Sequence, residues 1–510
     1  MRGKLQSRSA PVKGLILAQA AQPDPLGAEV LENWIPTRRG IRVRGGRRRV
    51  GTADSTVRSI LSYSSGGAHI GFMSTDTALY QIGVESPDDV PVPIYSDRTS
   101  GIYSTHQFGT PGGQYLLACN GTDPVIIFDG VSWEDADLVF DPVGPTSNDL
   151  SHVWAYRERL MFVQKGTMSV WFLPVNQKGG TLLDFSLASV FEKGGSLLFG
   201  STISLDSGDG IDDRCVFVSD QGEVAVYQGS DPGDPDKWGL VGRYDVGIPL
   251  GPDAVMRAGG DLLILTVSGA LSLTDAMRSD RSSLIPKAVT RPVEPLWRLE
   301  AERRSRPWSI SKWASKSLAI IAAPDLSDGR CLILSLDTGA WSVATNWGAT
   351  CLELVGDRMF AGIGSGVFAL DESGMDDADP FVARVCLSFA SKENSSRKVA
   401  SLMRATYYGA RKASLKFGVA SDFAVSFPDP PVATPAPADP STWGAFTWGI
   451  SVWGKVADAI QRTITTRWSK VRGSGISLAP TVQVLSGGPT PLDVEIVQLD
   501  FISESGGVVR

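Results

Sequence analysis

Residues 214–229 read RCVFVSDQGEVAVYQG, which is an apolar run, a polar turn with a glycine, and a run of alternating residues. This pattern predicts two short antiparallel strands joined by a tight turn. The same form recurs along the chain in units that begin at Ala68, Gln114, Arg159, Arg214, Asp261, Lys316 and Asp357. Successive units start 41 to 55 residues apart. A spacing of this size is typical of the blades of a β-propeller.

The sequence therefore predicts a mainly β protein with a propeller of six or seven blades. A set of β-sandwiches whose strands fall at this spacing by accident stays the alternative. We expect a propeller with loop insertions over residues 57–375. Residues 1–56 form a basic arm or platform segment, and residues 376–510 form a C-terminal β domain. The two terminal segments together are expected to build an additional β platform or sandwich.

Composition narrows the class of protein. The chain has 510 residues, of which 42% are hydrophobic and 20% charged, and it is too long for one compact core. It has no apolar run of the length that a transmembrane helix needs, so no membrane span is expected. The apolar part of residues 11–23 is too short for a secretory signal. Five cysteines without C-x-x-C spacing indicate reduced, buried thiols of a cytoplasmic protein.

Charge is unevenly distributed. Residues 1–50 contain 11 Lys and Arg and 3 acids, which gives them a charge of +8. Because the whole chain has a net charge of −7, the remaining residues carry −15. We predict that a cluster of seven arginines is an interface with an adaptor or a neighbouring subunit, although a solvated arm is the simpler interpretation. These residues are Arg38, Arg39, Arg42, Arg44, Arg47, Arg48 and Arg49.

Catalytic and metal-binding motifs are missing from the sequence. The three histidines fall in no ligand spacing, and there is neither a nucleophile elbow nor a P-loop. An oxygen-rich stretch is a weak candidate for calcium, but its spacing does not fit an EF-hand. It contains Asp206, Asp209, Asp212 and Asp213. The sequence predicts no enzyme, no cofactor and no resident metal.

A tryptophan repeat follows a proline-rich stretch near the C-terminus. Residues 441–455 read STWGAFTWGISVWGK and place Trp443, Trp448 and Trp453 five apart, each followed by glycine. Side chains five residues apart do not share one flat face, either on a strand or on a helix. We therefore interpret residues 427–455 as a strap that anchors the chain on its own or a neighbouring subunit, with a sugar-binding platform as the alternative.

Three stretches resemble the tail nozzle family, or tail tubular protein B type, of short-tailed bacteriophages (podoviruses). Residues 31–46, LENWIPTRRGIRVRGG, resemble its N-terminal signature, in which an N-W-x-P step precedes a basic stretch. Residues 194–235 resemble a central block with GEVAVYQG leading into SDP. TWGAFTWGISVWG and SGGPTPLDVEIVQLDF resemble the end of the family.

The resemblance implies a structural virion protein that is assembled in the host cytoplasm and located in the virion tail. It implies a homohexameric ring below an adaptor ring of the tubular protein A type, with a propeller in each subunit and docking surfaces for tail fibres or spikes. Double-stranded DNA would be retained and then pass through the ring without sequence-specific binding. A carbohydrate-binding or glycan-degrading propeller of a receptor-binding component is the alternative, and a cellular propeller scaffold is a second one.

Overall fold

The computed structural model describes residues 4–17, 24–206, 211–303, 307–323, 329–389, 396–409, 413–431 and 463–505. Its chain divides into two compact units. Unit 1 comprises residues 1–48, 332–346 and 370–510, and unit 2 comprises residues 49–331 and 347–369. No helix in the described ranges has the length and hydrophobicity that a bilayer crossing requires.

Unit 2 is a β-propeller, and its sheets follow one another along the chain. Blade 1 contains Ser59–Ser65, Ala68–Ser74 and Leu79–Gln81. Blade 2 contains Ser104–Thr110, Gly113–Cys119, Ile126–Phe128 and Trp133–Asp135. Blade 3 contains Leu138–Asp141, Leu150–Tyr156, Arg159–Gln164, Ser169–Phe172 and Gly180–Ser186. Blade 4 contains Leu197–Asp206, Ile211–Ser219, Glu223–Gly229 and Trp238–Asp245.

The remaining sheets of unit 2 are shorter. Blade 5 contains Val255–Ala258, Asp261–Thr266 and Gly269–Ser272, and a hairpin of Ser309–Trp313 and Leu318–Ala322 comes next along the chain. Blade 6 contains Cys351–Val355, Arg358–Ile363 and residues 366–369, and it is completed by residues 49–52 from the strand Gly46–Thr52. The strand that completes the last sheet thus comes from the opposite end of the propeller segment.

The innermost strands form a closed ring. Blade 1 contacts blade 2, each later blade contacts the next, the hairpin lies between blades 5 and 6, and blade 6 returns to blade 1. The described part of unit 2 therefore has six blades of three or more strands, with the hairpin as an additional member of the ring. The predicted β-propeller is confirmed. Six of the seven recurring units in the sequence are the second and third strands of a blade, counted outward from its innermost strand, and the unit that begins at Lys316 contains the second strand of the hairpin.

Neighbouring blades pack through apolar faces. Between blades 3 and 4, for example, Met161 and Phe172 of one sheet meet Phe217 and Tyr227 of the next. Strand residues alternate between two faces, so a strand with a neighbouring blade on each side has few polar positions. The strand Arg159–Gln164 shows this, with four consecutive buried residues in RLMFVQ.

Blade 5 has helices after its third strand. The α-helices are Leu273–Ala276, Arg281–Leu284 and Glu294–Arg303. The 3₁₀-helices are Ile285–Lys287 and Arg291–Val293, with Ser147–Asp149 and Ala314–Lys316 elsewhere in the unit. Ser272 begins this region as an N-cap, because its hydroxyl accepts a hydrogen bond from the Asp275 amide at 3.1 Å.

Unit 1 is built from two packed β-sheets. The first contains Lys4–Ser9, Trp34–Pro36, Ile41–Val43, Lys398–Gly409, Thr463–Thr466, Ser469–Gly475 and Val494–Ser505. The second contains Ala28–Glu32, Trp341–Ala344, Phe381–Leu387, Leu415–Ser421 and Leu478–Ser486, with residues 332–335 beside them. Met403 and Phe501 of the first sheet pack against Val419 and Leu478 of the second.

The observed units differ in their bounds from the predicted ranges. Residues 332–346 belong to unit 1, although the sequence placed them in the propeller segment. The reason is a strand pairing, because Trp341–Ala344 runs parallel to Ala28–Glu32 with Glu32 opposite Val343. As predicted for the two terminal segments, residues 1–48 and 370–510 lie together in unit 1, where Ile41–Val43 pairs with Val494–Ser505.

Candidate functional site

The candidate functional site is a cavity of about 320 Å³ on the inner ring of unit 2. It lies near the beginnings of innermost strands, so residues far apart in sequence meet there. Its polar lining side chains include Arg58, Ser104, His152, Asp253, Ser309 and Glu353.

Two carboxyl groups dominate the electrostatics of this cavity. Asp253 precedes the strand Val255–Ala258 and is exposed to the cavity, although protein surrounds it. This loss of bulk solvent raises the pKa of Asp253 to about 6. Desolvation and, secondarily, the charge of Asp253 raise the pKa of the half-buried Glu353 to about 8. At pH 7 Asp253 is therefore mostly ionised, while most Glu353 retains its proton.

The cationic group on the cavity wall is already paired. Arg58 donates from Nε and Nη2 to Asp76 Oδ2, at 3.0 and 2.8 Å. This bidentate geometry holds the guanidinium on Asp76, which is not a lining residue. The carboxylate of Asp253 has no cationic partner within the ranges that the structure describes.

His152 is a neutral wall residue. Its Nε2 lies 3.0 Å from the Gly200 carbonyl oxygen, which can only accept, so Nε2 carries the proton. Its Nδ1 then accepts from the Ser104 hydroxyl at 2.9 Å. Desolvation lowers the pKa of His152 to about 4, so the ring adds no positive charge near neutral pH.

The thiol in the cavity wall is not a nucleophile. Desolvation raises the pKa of Cys351 to about 12, which keeps the thiol protonated. The five cysteines are free, and Cys351 is the half-buried one. In the described ranges no group of three or more His, Cys, Asp or Glu side chains could hold a metal ion.

One of the seven predicted interface arginines is fully buried in unit 1. Arg44 donates to both carboxylate oxygens of Asp376, at 2.9 and 2.7 Å, and its Nε donates to Asn33 Oδ1 at 2.8 Å. Asn33 Oδ1 also accepts from the Thr345 amide at 2.9 Å. Arg44 therefore supports its own unit and offers no surface to a partner in this conformation.

Other members of the arginine cluster are accessible. The Arg38 side chain is 77% exposed, and Arg48 is 56% exposed, even though each forms a surface ion pair. Arg39 is exposed as well. Arg42 is half-buried and pairs with Asp371 at 3.2 Å. The interface role stays a prediction for these residues.

The last two arginines are half-buried and lie in different units. Arg47 of unit 1 donates to the Asn346 carbonyl oxygen at 2.6 Å. Arg49 of unit 2 lies 4.8 Å from the ring centroid of Phe368 and 3.7 Å from Asp88. A cation–π contact of this kind positions the guanidinium on its own unit.

Most of the predicted metal cluster and most of the tryptophan strap lie outside the described residues. Asp209 and the side chains of Asp206 and Asp212 lie outside the described residues. Asp213 accepts a hydrogen bond from Ser204 Oγ at 2.5 Å, so its carboxylate has a protein partner. Trp443, Trp448 and Trp453 also lie outside the described residues.

The cavity residues were not predicted as a site. Asp253 and Glu353 are single acids without motif context, and their proximity follows from ring closure. One signal could have found them. Polar residues recur at or near the start of the innermost strand of a blade, since Ser104 and His152 lie 48 residues apart, about one blade period, and His152 and Asp253 lie 101 residues apart, about two.

Comparisons with known proteins identify no family for this chain. No protein-family model matches the chain, and no curated protein sequence matches it. Solved structures similar in fold include Raptor of Chaetomium thermophilum, with 10% identity, a TM-score of 0.40, and coverage of 67% of this chain and 29% of that one. The chain thus spans less than a third of that protein.

Two further solved structures are also similar to this chain. A YCF48 structure bound to a D1 peptide has 13% identity, a TM-score of 0.36, and coverage of 64% of this chain and 96% of that one. Sqt1 of Saccharomyces cerevisiae has 13% identity, a TM-score of 0.35, and coverage of 64% and 98%. Similarities at this level say nothing about function, and the propeller assignment rests on the strand arrangement above.

Proposed function

We propose that this chain is a structural virion protein, a subunit of the homohexameric tail nozzle of a short-tailed bacteriophage. In this role it continues the portal and adaptor channel, retains the packaged DNA, conducts it during ejection and supports tail fibres or spikes. The sequence resemblance at both ends and in the middle of the chain motivates the proposal. A propeller accompanied by a separate β unit is compatible with it.

The observation that carries the proposal is the position of the N-terminal signature in unit 1. Asn33 and Trp34 of the N-W-x-P step are 2% and 0% exposed, and Arg44 of the basic stretch is 0% exposed. Asn33 has a left-handed backbone with φ of 62°, and its side-chain Nδ2 donates to Val382 O and Thr345 Oγ1, both at 2.7 Å. The signature thus contains buried residues that support the fold of unit 1, so the resemblance rests on structural residues.

The glycine at the end of the signature supports the same conclusion. A Cβ on Gly46 would overlap the Met375 backbone carbonyl. The R-x-G ending therefore combines a buried cation at Arg44 with a site where only glycine fits. A basic arm that resembled the signature by chance would need neither a buried arginine nor a glycine at this position.

A charge argument connects the chain to DNA transport. Lys and Arg contacts to phosphates add affinity and would slow passage, whereas an acidic or neutral lumen permits sliding. The −15 outside residues 1–50 fits such a lumen. We therefore assign the exposed arginines Arg38, Arg39 and Arg48 to a contact with a neighbouring subunit or the adaptor ring.

Negative-stain microscopy and mass photometry of the purified chain test the proposal. A six-fold ring with a central hole is the expected assembly, formed by the chain alone or together with the adaptor protein from the same genome. A chain that stays monomeric with that adaptor, or that hydrolyses polysaccharide, would contradict it.

A charge-reversal variant then tests the interface. Arg38→Glu combined with Arg39→Glu should abolish the ring while leaving the melting temperature within a few degrees. Arg298→Glu is the control, because this side chain is 67% exposed and lies in unit 2. If both variants assemble equally well, the arginine cluster is not the interface.

The glycan-degrading alternative has one observation in its favour, which is that Asp253 and Glu353 line the same cavity. Glycoside hydrolysis uses two carboxyl groups, one of which has a raised pKa. Tryptophan, the usual sugar platform, is not among the lining residues. Release of reducing ends from host surface polysaccharide, lost in Asp253→Asn, would establish this function instead.

A further inference from the structure

The helical insertion after the third strand of blade 5, residues 273–303, carries a local excess of positive charge. Unit 2 as a whole contains 24 Lys and Arg and 37 Asp and Glu, so its net charge is −13. Residues 278–298 contain five of these cations and two of these acids, which gives +3. All five cations are exposed, and we call them the basic surface. They are Arg278, Arg281, Lys287, Arg291 and Arg298.

The insertion holds this surface on a fixed support. Its buried apolar side chains belong to one core cluster with strand residues of blades 4 and 5. The Val289 amide donates to the Ala270 carbonyl oxygen at 3.1 Å, and the Ala270 amide donates to Thr290 Oγ1 at 3.1 Å. The apolar side of the insertion therefore packs against the blades, while the cations point into solvent.

Two carboxylates beside the basic surface each hold two cations. Arg291 Nη1 and Arg298 Nη2 pair with the two oxygens of Glu294, the latter at 2.7 Å. The same arrangement recurs at Asp245 Oδ2, which lies 2.6 and 3.5 Å from two cations. These are Lys193 and Arg281. Because one carboxylate neutralises one cation, positive charge remains at both places, and exposed ion pairs are weak enough to exchange for a phosphate.

The composition of this surface distinguishes a nucleic acid from a protein partner. Protein interfaces have an apolar centre from which charged residues are depleted, whereas interfaces with DNA are more polar and far more positive. Within residues 273–303, which the structure describes throughout, Leu299 is the exposed large hydrophobic residue. Four of the five cations are arginine, whose guanidinium binds phosphate in a bidentate manner.

We propose that the basic surface of blade 5 binds the sugar–phosphate backbone of double-stranded DNA without reading its sequence. The choice of duplex DNA among polyanions rests on the proposed function. Contacts from Lys and Arg to phosphates slow the passage of DNA, so this surface retains DNA, whereas the acidic remainder of unit 2 permits sliding.

Fluorescence anisotropy of a labelled duplex of about 30 base pairs, titrated with the full chain at about 50 to 200 mM NaCl, tests the proposal. Two duplexes of unrelated sequence should bind the native chain with equal affinity. Arg291→Gln combined with Arg298→Gln should weaken binding about tenfold at the lowest salt. The slope of log affinity against log salt should fall by about 2, because two phosphate contacts are removed.

Lys165→Gln combined with Lys237→Gln is the matched control, since it removes two exposed cations elsewhere in unit 2. This control should keep the affinity and the salt slope of the native chain. Arg278→Gln combined with Lys287→Gln replaces the first pair if circular dichroism melting shows that it fails to fold. Equal affinity of the control and a folded variant of the basic surface would overturn the proposal.

Negative-stain microscopy of the same proteins separates this inference from the function on which it rests. A native chain that forms the ring but does not bind DNA would overturn the inference and leave the nozzle proposal intact. DNA binding that requires Arg291 and Arg298, in a chain that forms no ring, would support the basic surface and contradict the nozzle. Loss of the ring without loss of DNA affinity in the Arg291 and Arg298 variant would identify a protein contact and overturn the inference.

Discussion

At the scale of single residues, the buried Arg44–Asp376 pair is the most demanding feature of unit 1. Both side chains are almost fully buried, with exposures of 0% and 2%. Arg44→Met would leave the Asp376 carboxylate buried without its cation, so we expect a loss of about 3 to 5 kcal/mol in the free energy of unfolding. Chemical denaturation followed by circular dichroism would measure it.

Arg38→Met is the matched control for that variant. Its side chain is 77% exposed and pairs with Asp337 at the surface, so the expected change is at most about 1 kcal/mol. If Arg44→Met and Arg38→Met shift the denaturation midpoint by similar amounts, the buried pair does not have the structural role assigned here.

Glu353 makes a prediction about pH. Its pKa is about 8 in the folded chain against an ordinary 4.5, so between these values the folded state binds more protons than the unfolded state. Stability contributed by this group is therefore lost as pH rises from about 4.5 to about 8. Glu353→Gln should be the more stable protein at pH 8.5, by about 1 to 2 kcal/mol, since cavity water screens part of the shift.

Urea midpoints at pH 5 and pH 8.5 would check this prediction, with Glu85→Gln as the exposed control. The native chain and Glu85→Gln should lose stability between the two pH values by the same amount, while Glu353→Gln should lose less. An identical pH dependence for all three proteins would show that Glu353 is not desolvated.

At the scale of elements, the turn of residues 219–222 joins the strands Ile211–Ser219 and Glu223–Gly229 of blade 4. Gly222 has φ of +84°, and a Cβ there would overlap the backbone of Gly247. Gly222→Ala should therefore destabilise the chain by about 1 to 3 kcal/mol. Gly239→Ala, in the same blade but with nothing within 4 Å of a Cβ, should change stability by about 0.5 kcal/mol or less. Thermal melting of both variants distinguishes them, and equal melting temperatures would contradict this account of the turn.

Strand positions could be predicted from the sequence more easily than the helices. RCVFVSDQGEVAVYQG contains both the apolar alternation and the turn glycine, and the structure places strands at Ile211–Ser219 and Glu223–Gly229. The helix Glu294–Arg303 buries only Trp297, Glu300 and Ala301, so its apolar periodicity is weak. That helix depends on tertiary contacts, such as the bond from Trp297 Nε1 to the Thr266 carbonyl oxygen at 2.9 Å.

At the scale of the whole molecule, sequence periodicity predicts a ring but not what the ring brings together. Asp253 and Glu353 are 100 residues apart and line one cavity only because innermost strands meet around an axis. Likewise, the pairing of Ala28–Glu32 with Phe381–Leu387 joins segments separated by most of the chain. Such contacts leave no local pattern in the sequence. The sequence therefore predicts neither the residues that line the cavity nor the set of segments that form unit 1.

Unit 1 is built from separate segments of the chain, and this predicts how fragments of the chain behave. Residues 376–510 alone lack Ala28–Glu32, which pairs with Phe381–Leu387, and Ile41–Val43, which pairs with Val494–Ser505. They also lack Arg44, so Asp376 has no cation. We therefore expect this fragment to show no cooperative thermal transition and a narrow range of amide proton shifts in NMR spectra. The full chain, as the control, should unfold cooperatively. A well-dispersed spectrum of residues 376–510 would show instead that the C-terminal segment is a domain in its own right, because the missing strands and the buried arginine would then be dispensable for its core.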